Sequence, residues 1–322
     1  MTVTSLPVNL VKKLWASQLW VEAQDDIFFK RFIGEGENNI IHKKNDLKKD
    51  KGDQITLGLA MKLSGAGISG DSTLEGNEEQ MTFYDMSVSI DQIRNGVRLK
   101  GKMEEQKTAA SLRQSAKNAL KVWLSEKIDN TFFTTLATSP SAGRVLFGGD
   151  ATATAEIVDA DKLTTTLIST AKRKAMLATP KIRPVKIDGK EHYMMLVHPY
   201  AARDLKTDTA WLNAQKDANL RGDKNPIFSG ALGIWDGVIL FEHENVRLTT
   251  DGASSANVAW NTLLGAQAGV WAIGKEAFWE EDTFDYGNQQ GFATGIIHGI
   301  KKSIFNGEDF AVITVETGAK AD

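Results

Sequence analysis

Cysteine is missing from all 322 residues, which removes disulfide staples, thiolate-bound zinc, iron–sulfur clusters and a thiol nucleophile. No run of about 18 apolar residues occurs, so no segment reads as a membrane-spanning helix. The start, MTVTSLPVNLVKKLW, lacks the charged region, unbroken apolar stretch and small-residue cleavage site of a secretory signal, and synthesis inside a cell is expected. Neither sign of charge dominates: 38 Lys and Arg face 41 Asp and Glu, a formal net charge of -3. Broad phosphate neutralisation, the usual basis of nucleic-acid binding, is not expected of such a surface. Internal repeats are absent, and so is any HExxH or other paired-ligand spacing among the histidines at 42, 192, 198, 243 and 298, which leaves metal and catalytic-triad roles unsupported.

What is present is ordinary globular composition, 42% hydrophobic and 25% charged, arranged in distinct segments. Residues 8–33 place Leu10, Leu14, Trp15, Leu19, Ile27 and Phe28 at roughly helical spacing, an amphipathic helix whose tryptophans Trp15 and Trp20 need a partner surface. A lysine-rich stretch, Lys43 to Lys51, reads equally well as a solvated linker and as a nucleic-acid contact. From Gln54 to Leu63 the chain alternates strictly, with Ile55, Leu57, Leu59, Met61 and Leu63 on one side. Met81 to Ile90 is a second extended segment, through Tyr84, Met86, Val88 and Ile90, and GAGISGDSTLEGNEE lies between the two. The pair predicts a long hairpin with a flexible tip. Two strands alone are marginal in water, so the apolar face must lie on something else, and another subunit is the expected cover.

Met103 to about Ala137 has neither Gly nor Pro and predicts one helix about 50 Å long. Its apolar stripe runs through Leu112, Ala116, Ala119, Leu120, Trp123, Ile128 and Phe132. Beyond SPSAG a helix is predicted over 161–178. A strand follows at HYMMLVHP, then a helix from Pro199 to about Ala218, strands at Gly237–Glu242 and Phe310–Val315, and a short Ala/Gly-rich helix near 263–272. The fold class is therefore α+β.

Two glycine motifs invite a nucleotide. GAGISG, Gly65 to Gly70, has the spacing of a dinucleotide-binding turn, but such a turn must open a helix, and DSTLEGNEE follows instead. GVWAIGKE, Gly269 to Glu276, is a P-loop without its hydroxyl: Glu276 stands where Ser or Thr would hold magnesium. The acidic run Glu280, Glu281, Asp282 and Asp285 is too crowded along the chain for its carboxylates to converge as an acid–base pair. No catalytic, cofactor or metal residue is expected.

The order of parts resembles the Hong Kong 97-type coat protein fold of tailed phages. The strings GDSTLEGNEEQM, SIDQIRNGVRLKGKMEEQKT, LLGAQAGVWA, DYGNQQGFATGIIHGIKK and FAVITVET resemble major capsid proteins of the phage N-four type, over about Val8 to Thr317. The resemblance implies an N-terminal arm (1–50), an extended-loop hairpin (51–101), a peripheral domain with a spine helix (102–155), a mixed α/β axial domain (156–294) and a C-terminal strand returning to the peripheral domain (295–322). It implies self-assembly through pentamers and hexamers into an icosahedral head, made in the bacterial cytoplasm, that encloses double-stranded DNA without sequence-specific binding or membrane contact. A portal is an expected partner, and a scaffolding or decoration protein an optional one. Expected subunit-interface residues are Trp15, Trp20, Ile55, Leu57, Leu59, Met61, Gly65, Gly67, Gly70, Leu74 and Glu75. The alternatives are an encapsulin-like compartment shell, told apart by its cargo; a tail or baseplate protein, told apart by forming tubes or rings; and a nucleotide-dependent enzyme, told apart by nucleotide binding.

Overall fold

The computed structural model describes residues 27–48, 52–63, 65–107, 112–187, 189–218 and 232–322. Trp15, Trp20 and most of the predicted N-terminal helix lie outside these residues.

A 3-10 turn, Phe28–Phe32, opens the described chain, followed by β1 (Ile33–Gly34), β2 (Ile41–Lys44), β3 (Gln54–Ala60), β4 (Phe83–Ser89) and β5 (Asp91–Arg98). Helices α1 (Lys102–Lys107) and α2 (Leu112–Ala137) come next; the residues that would join them into the single predicted helix lie outside the description. Then follow β6 (Val145–Phe147), α3 (Thr165–Leu177), β7 (Val185–Ile187), β8 (Lys190–Val197), α4 (Pro199–Leu205) and α5 (Thr209–Ala218). The remainder is β-structure: β9 (Gly233–Trp235), β10 (Val238–Glu242), β11 (Leu248–Thr249), β12 (Val258–Leu264), β13 (Gly269–Phe284), β14 (Gln289–Lys302), β15 (Ile304–Phe305), β16 (Glu308–Asp309) and β17 (Val312–Gly318).

These strands form two main sheets. The five-stranded sheet runs β1-β2-β13-β14-β5, and the eight-stranded sheet runs β6-β17-β12-β8-β10-β9, with β11 beside β12 and β7 beside β8. Helix α2 is the spine between them. Leu120, Leu124, Ile128, Phe132 and Leu136 recur every four residues and are all buried, so one stripe of the helix is sealed along its length. Of the predicted stripe, Ala119 is exposed and Trp123 half-buried. Asp129, on the buried side, accepts the Phe28 N–H at 2.8 Å and the Phe29 N–H at 3.4 Å, which ties the 3-10 turn to the spine. Burial raises the Asp129 pKa and these two donors oppose the rise.

Four expectations are corrected. Residues 263–272 are no helix: they are the end of β12, a turn with Gln267 at φ 62°, and the start of β13. Their Ala and Gly residues are small because both faces of these strands are buried. The segment 199–218 is two helices, because Asp208 interrupts it: its carboxylate accepts the N–H of Ala210 as a cap on α5 and the N–H and hydroxyl of Thr165. β5, expected within the hairpin, is bonded along its whole length to β14. The boundary expected between 294 and 295 falls inside β14, and the closing strand β17 pairs with β12 and β6 in the eight-stranded sheet.

One buried ion pair joins the two sheets. Lys302, the last residue of β14, puts Nζ 2.8 Å from Asp309, which leads into β17, and both side chains are at most 3% exposed. The same ammonium donates to the carbonyls of Thr138 and Ser139, just past the end of the spine, where a helix concentrates partial negative charge. Asp309 also accepts the Ser141 N–H. Removing one partner strands the other charge in the interior, so Lys302→Met is expected to lower unfolding free energy by about 3 to 5 kcal/mol in urea denaturation. A loss below about 1 kcal/mol, the range of surface pairs, contradicts this role.

Candidate functional site

The ribbon β3–β4 is antiparallel, with Ile55 opposite Val88, Leu57 opposite Met86 and Leu59 opposite Tyr84. Because directly opposed residues share a face, this register gathers the predicted apolar set of both strands onto one side. Met61 continues it, its N–H donating to the Thr82 carbonyl at 2.9 Å.

The two ends of the ribbon differ sharply. At the foot, Met86 and Val88 are buried against Val270 and Ala272 of β13, with Ile55, Leu57, Ile90 and Phe305 packed around them. Lys301 Nζ donates to the Ser87 carbonyl at 2.7 Å, and the Ile90 N–H donates to the Asp53 carbonyl at 2.9 Å. Past Met61 every described residue to Phe83 is exposed. The exposed set includes Leu63 at 52%, Leu74 at 59%, Met81 at 54% and Phe83 at 65%. These apolar side chains stand in water along one projecting element, which makes the outer half of the ribbon the candidate contact surface.

Of the expected interface residues, Ile55, Leu57 and Leu59 are half-buried on the chain's own body, and Met61 marks the border. Gly65, Gly67, Gly70, Leu74 and Glu75 lie on the exposed tip. Sequence reasoning passed over Ile68, Met81 and Phe83, also exposed. Phe83 sits opposite Ala60, on the face across from Leu57 and Leu59, and a large aromatic outside the alternating apolar set is the available signal.

The tip is held by its own short bonds: Gly65 N–H to Glu79 at 2.6 Å, Gly76 N–H to Glu78 at 2.8 Å and Asn77 N–H to the Leu74 carbonyl at 2.9 Å. Gly67 and Gly70 have φ of 68° and 69°, a region that costs glycine little. No helix follows them before β4, so Gly65–Gly70 lacks the helix N-terminus that a pyrophosphate needs. Gly269–Lys275 lies within β13, with Val270, Trp271, Ala272 and Ile273 buried, and is not a loop that could wrap phosphate. Glu281 is bound by Arg113 at 2.6 Å and by the Trp279 indole at 2.7 Å, and Asp285 closes the β13–β14 turn through Asn288. His198 caps α4 by accepting the Tyr200 N–H, His243 stacks on Phe133, and His298 accepts the Trp271 indole N–H at 3.1 Å. Among the described residues no group of three or more potential ligands is arranged for a metal ion.

With this arrangement established, comparison with known proteins is decisive. The model of the phage capsid protein family matches residues 2–321. This chain belongs to the phage capsid protein family. It is 30% identical to the major capsid protein of Pseudomonas phage KPP25, over 97% of this chain and 96% of that protein. The capsid of Ralstonia phage GP4 superposes with a TM-score of 0.81 at 34% identity, covering 92% of each chain. That of cyanophage Pam1 gives 0.82 at 26% identity, covering 91% of this chain and 92% of the other. The fold is accordingly the Hong Kong 97-type, as the order of segments implies.

The site has a pH dependence of its own. His298 lies at the pair His298–Asp91, where the ribbon gives way to β5. Burial lowers its pKa from 6.5 to about 4, against a weaker opposing pull from Asp91. A neutral folded histidine and a protonatable unfolded one make stability full above pH 6.5 and decreasing as pH falls from 6.5 to about 4. The loss amounts to about 3 kcal/mol. Burial lowers His198 and His243 too, so they add to the same slope. Urea unfolding at pH 7 and pH 4.5 is expected to show a smaller difference for His298→Phe than for the parent; equal differences contradict the assignment.

Proposed function

We propose that this chain is the major capsid protein of a tailed phage and builds the closed, DNA-containing head by tiling with copies of itself. The observation that carries this reading is the ribbon whose foot is seated on its own body while its outer half, from Leu63 to Phe83, has no cover among the described residues. The likeness over nearly the whole length to a major capsid protein supports it. On this reading the five-stranded sheet and the spine α2 form the peripheral domain, and the eight-stranded sheet forms the axial domain that meets its copies in pentamers and hexamers. The ribbon lies over a neighbour, and its exposed apolar residues become the buried centre of a contact of at least about 1,000 Å². Weak single contacts suffice when many copies close on one another.

The proposed role is structural: Gly65–Gly70 lies in the ribbon tip, Gly269–Lys275 lies within a strand, and Glu281 of the acidic run is held by Arg113. The near-neutral surface suits enclosure of DNA without sequence reading. A portal, and a scaffolding or decoration protein, are further partners of a phage head on this reading. The family match over residues 2–321 favours a phage head over a compartment shell, whose distinguishing content would be an enzyme.

Leu57 contacts its own body, so a charge there would disturb the subunit as well as its contacts. The cleaner variant is Phe83→Asp combined with Leu74→Asp, both on the exposed half. The expected outcome is a subunit that unfolds within about 0.5 kcal/mol of the parent, as surface substitutions do, and forms no closed shells under negative-stain electron microscopy. Shells of parental size and yield would contradict the assignment.

A further inference from the structure

The ribbon leaves the body at one short stretch, Ser89–Ile90–Asp91. Before it the chain is a projecting two-stranded element; after it, β5 is bonded to β14 from His298 to Gly291. This stretch rests on β14 at Gly299 and on β13 at Gly274. A Cβ at Gly299 would stand 2.0 Å from the Ser89 carbonyl oxygen, 2.9 Å from its carbon and 3.3 Å from the Ile90 Cα. All three are backbone atoms, so no side chain can rotate to make room. Gly274, in the β-bulge between Ile273 and Lys275, lies under the Ile90 side chain: a Cβ there would stand 2.6 Å from Ile90 Cδ1. The Lys301 bond to the Ser87 carbonyl and the Ile304 N–H contact with Met86 Sδ, 3.3 Å, hold the stretch down from the β4 side.

We propose that Gly299, with Gly274 beside it, is the seat that sets the angle at which the ribbon leaves the subunit, and through that angle the curvature of the shell. The proposal rests on the container reading and adds the residues that determine its geometry. From Gln54 to Leu63 the ribbon extends about 30 Å at 3.3 Å per residue, so a tilt of about 10° at the seat moves its outer end about 5 Å. A displacement of that size exceeds what a packed interface absorbs. Any side chain at 299 must lift Ser89 off β14, whereas a glycine lets the two backbones touch. The seat therefore fixes the direction of the ribbon, while the glycines at its tip adjust only the last contact.

The test compares Gly299→Ala, Lys301→Met and a control, Gly269→Ala, which lies in the same sheet; an added Cβ there would meet the side-chain ends of Ile41 and Leu136 at 3.2 and 3.3 Å and the Lys301 carbonyl oxygen at 3.5 Å, an ordinary contact distance. Two quantities are read: hydrogen exchange at the Ile90 amide in unassembled subunits, and the diameter distribution of assembled particles by electron microscopy. Gly299→Ala and Lys301→Met are expected to speed Ile90 exchange about tenfold or more, as local opening does, and to shift or broaden the diameters. The control keeps parental values in both. Lys301→Met adds no atoms against the backbone and carries the test if Gly299→Ala fails to fold. Unchanged Ile90 exchange in Lys301→Met overturns the seat, and faster exchange with parental diameters overturns its control of curvature. If the parent chain makes no shells, the container reading falls, while Ile90 exchange still decides on the seat.

Discussion

A two-stranded ribbon with one apolar side cannot bury that side by itself, because the only surface it owns is the one needing cover. The rest of the molecule answers this constraint by halves. Val270, Ala272 and Phe305 take the foot, and nothing among the described residues takes the end. Spine, sheets and the Lys302–Asp309 junction make the body a stiff base from which the uncovered end projects at a set angle. A floppy body would let the ribbon fold back on any apolar patch within reach, and the end would then be lost to neighbours.

The same constraint separates what was legible in the sequence from what was not. Period-two alternation exposed β3, and the opposed apolar residues of β4 exposed its partner, because a half-buried strand must write its burial into alternate positions. The spine was legible from residues spaced by four and from the lack of breakers. β13 and β14 were not. In β13 the first five residues are buried on both faces, so no alternation survives, and GVWAIG mixes small and large apolar residues much as a buried helix does. Asp208 sits inside a stretch that reads as one helix; it caps α5 through the Ala210 N–H, and its second carboxylate oxygen holds Thr165, 43 residues away, a contact that sequence spacing does not display.

The candidate site was half legible. Alternation identifies which residues form the apolar face, yet it carries no information about how far along the ribbon the chain's own body reaches. That limit falls at Met61, set by where β13, β14 and β15 lie beneath the strands. Gly299 was invisible for a related reason: in sequence it is one glycine among 28. Only the approach of the Ser89 carbonyl, 210 residues earlier in the chain, distinguishes it.

On the proposed reading, the stretch from Leu63 to Phe83, which no described residue covers, is covered by an adjacent copy in the shell. Oxidative footprinting of Met81 and Phe83, in isolated subunits and in assembled particles, measures this directly. The account predicts strong labelling of both in the subunit and a fall of about tenfold or more on assembly, the change that full burial of an exposed side chain entails. Equal labelling in the two states would contradict it.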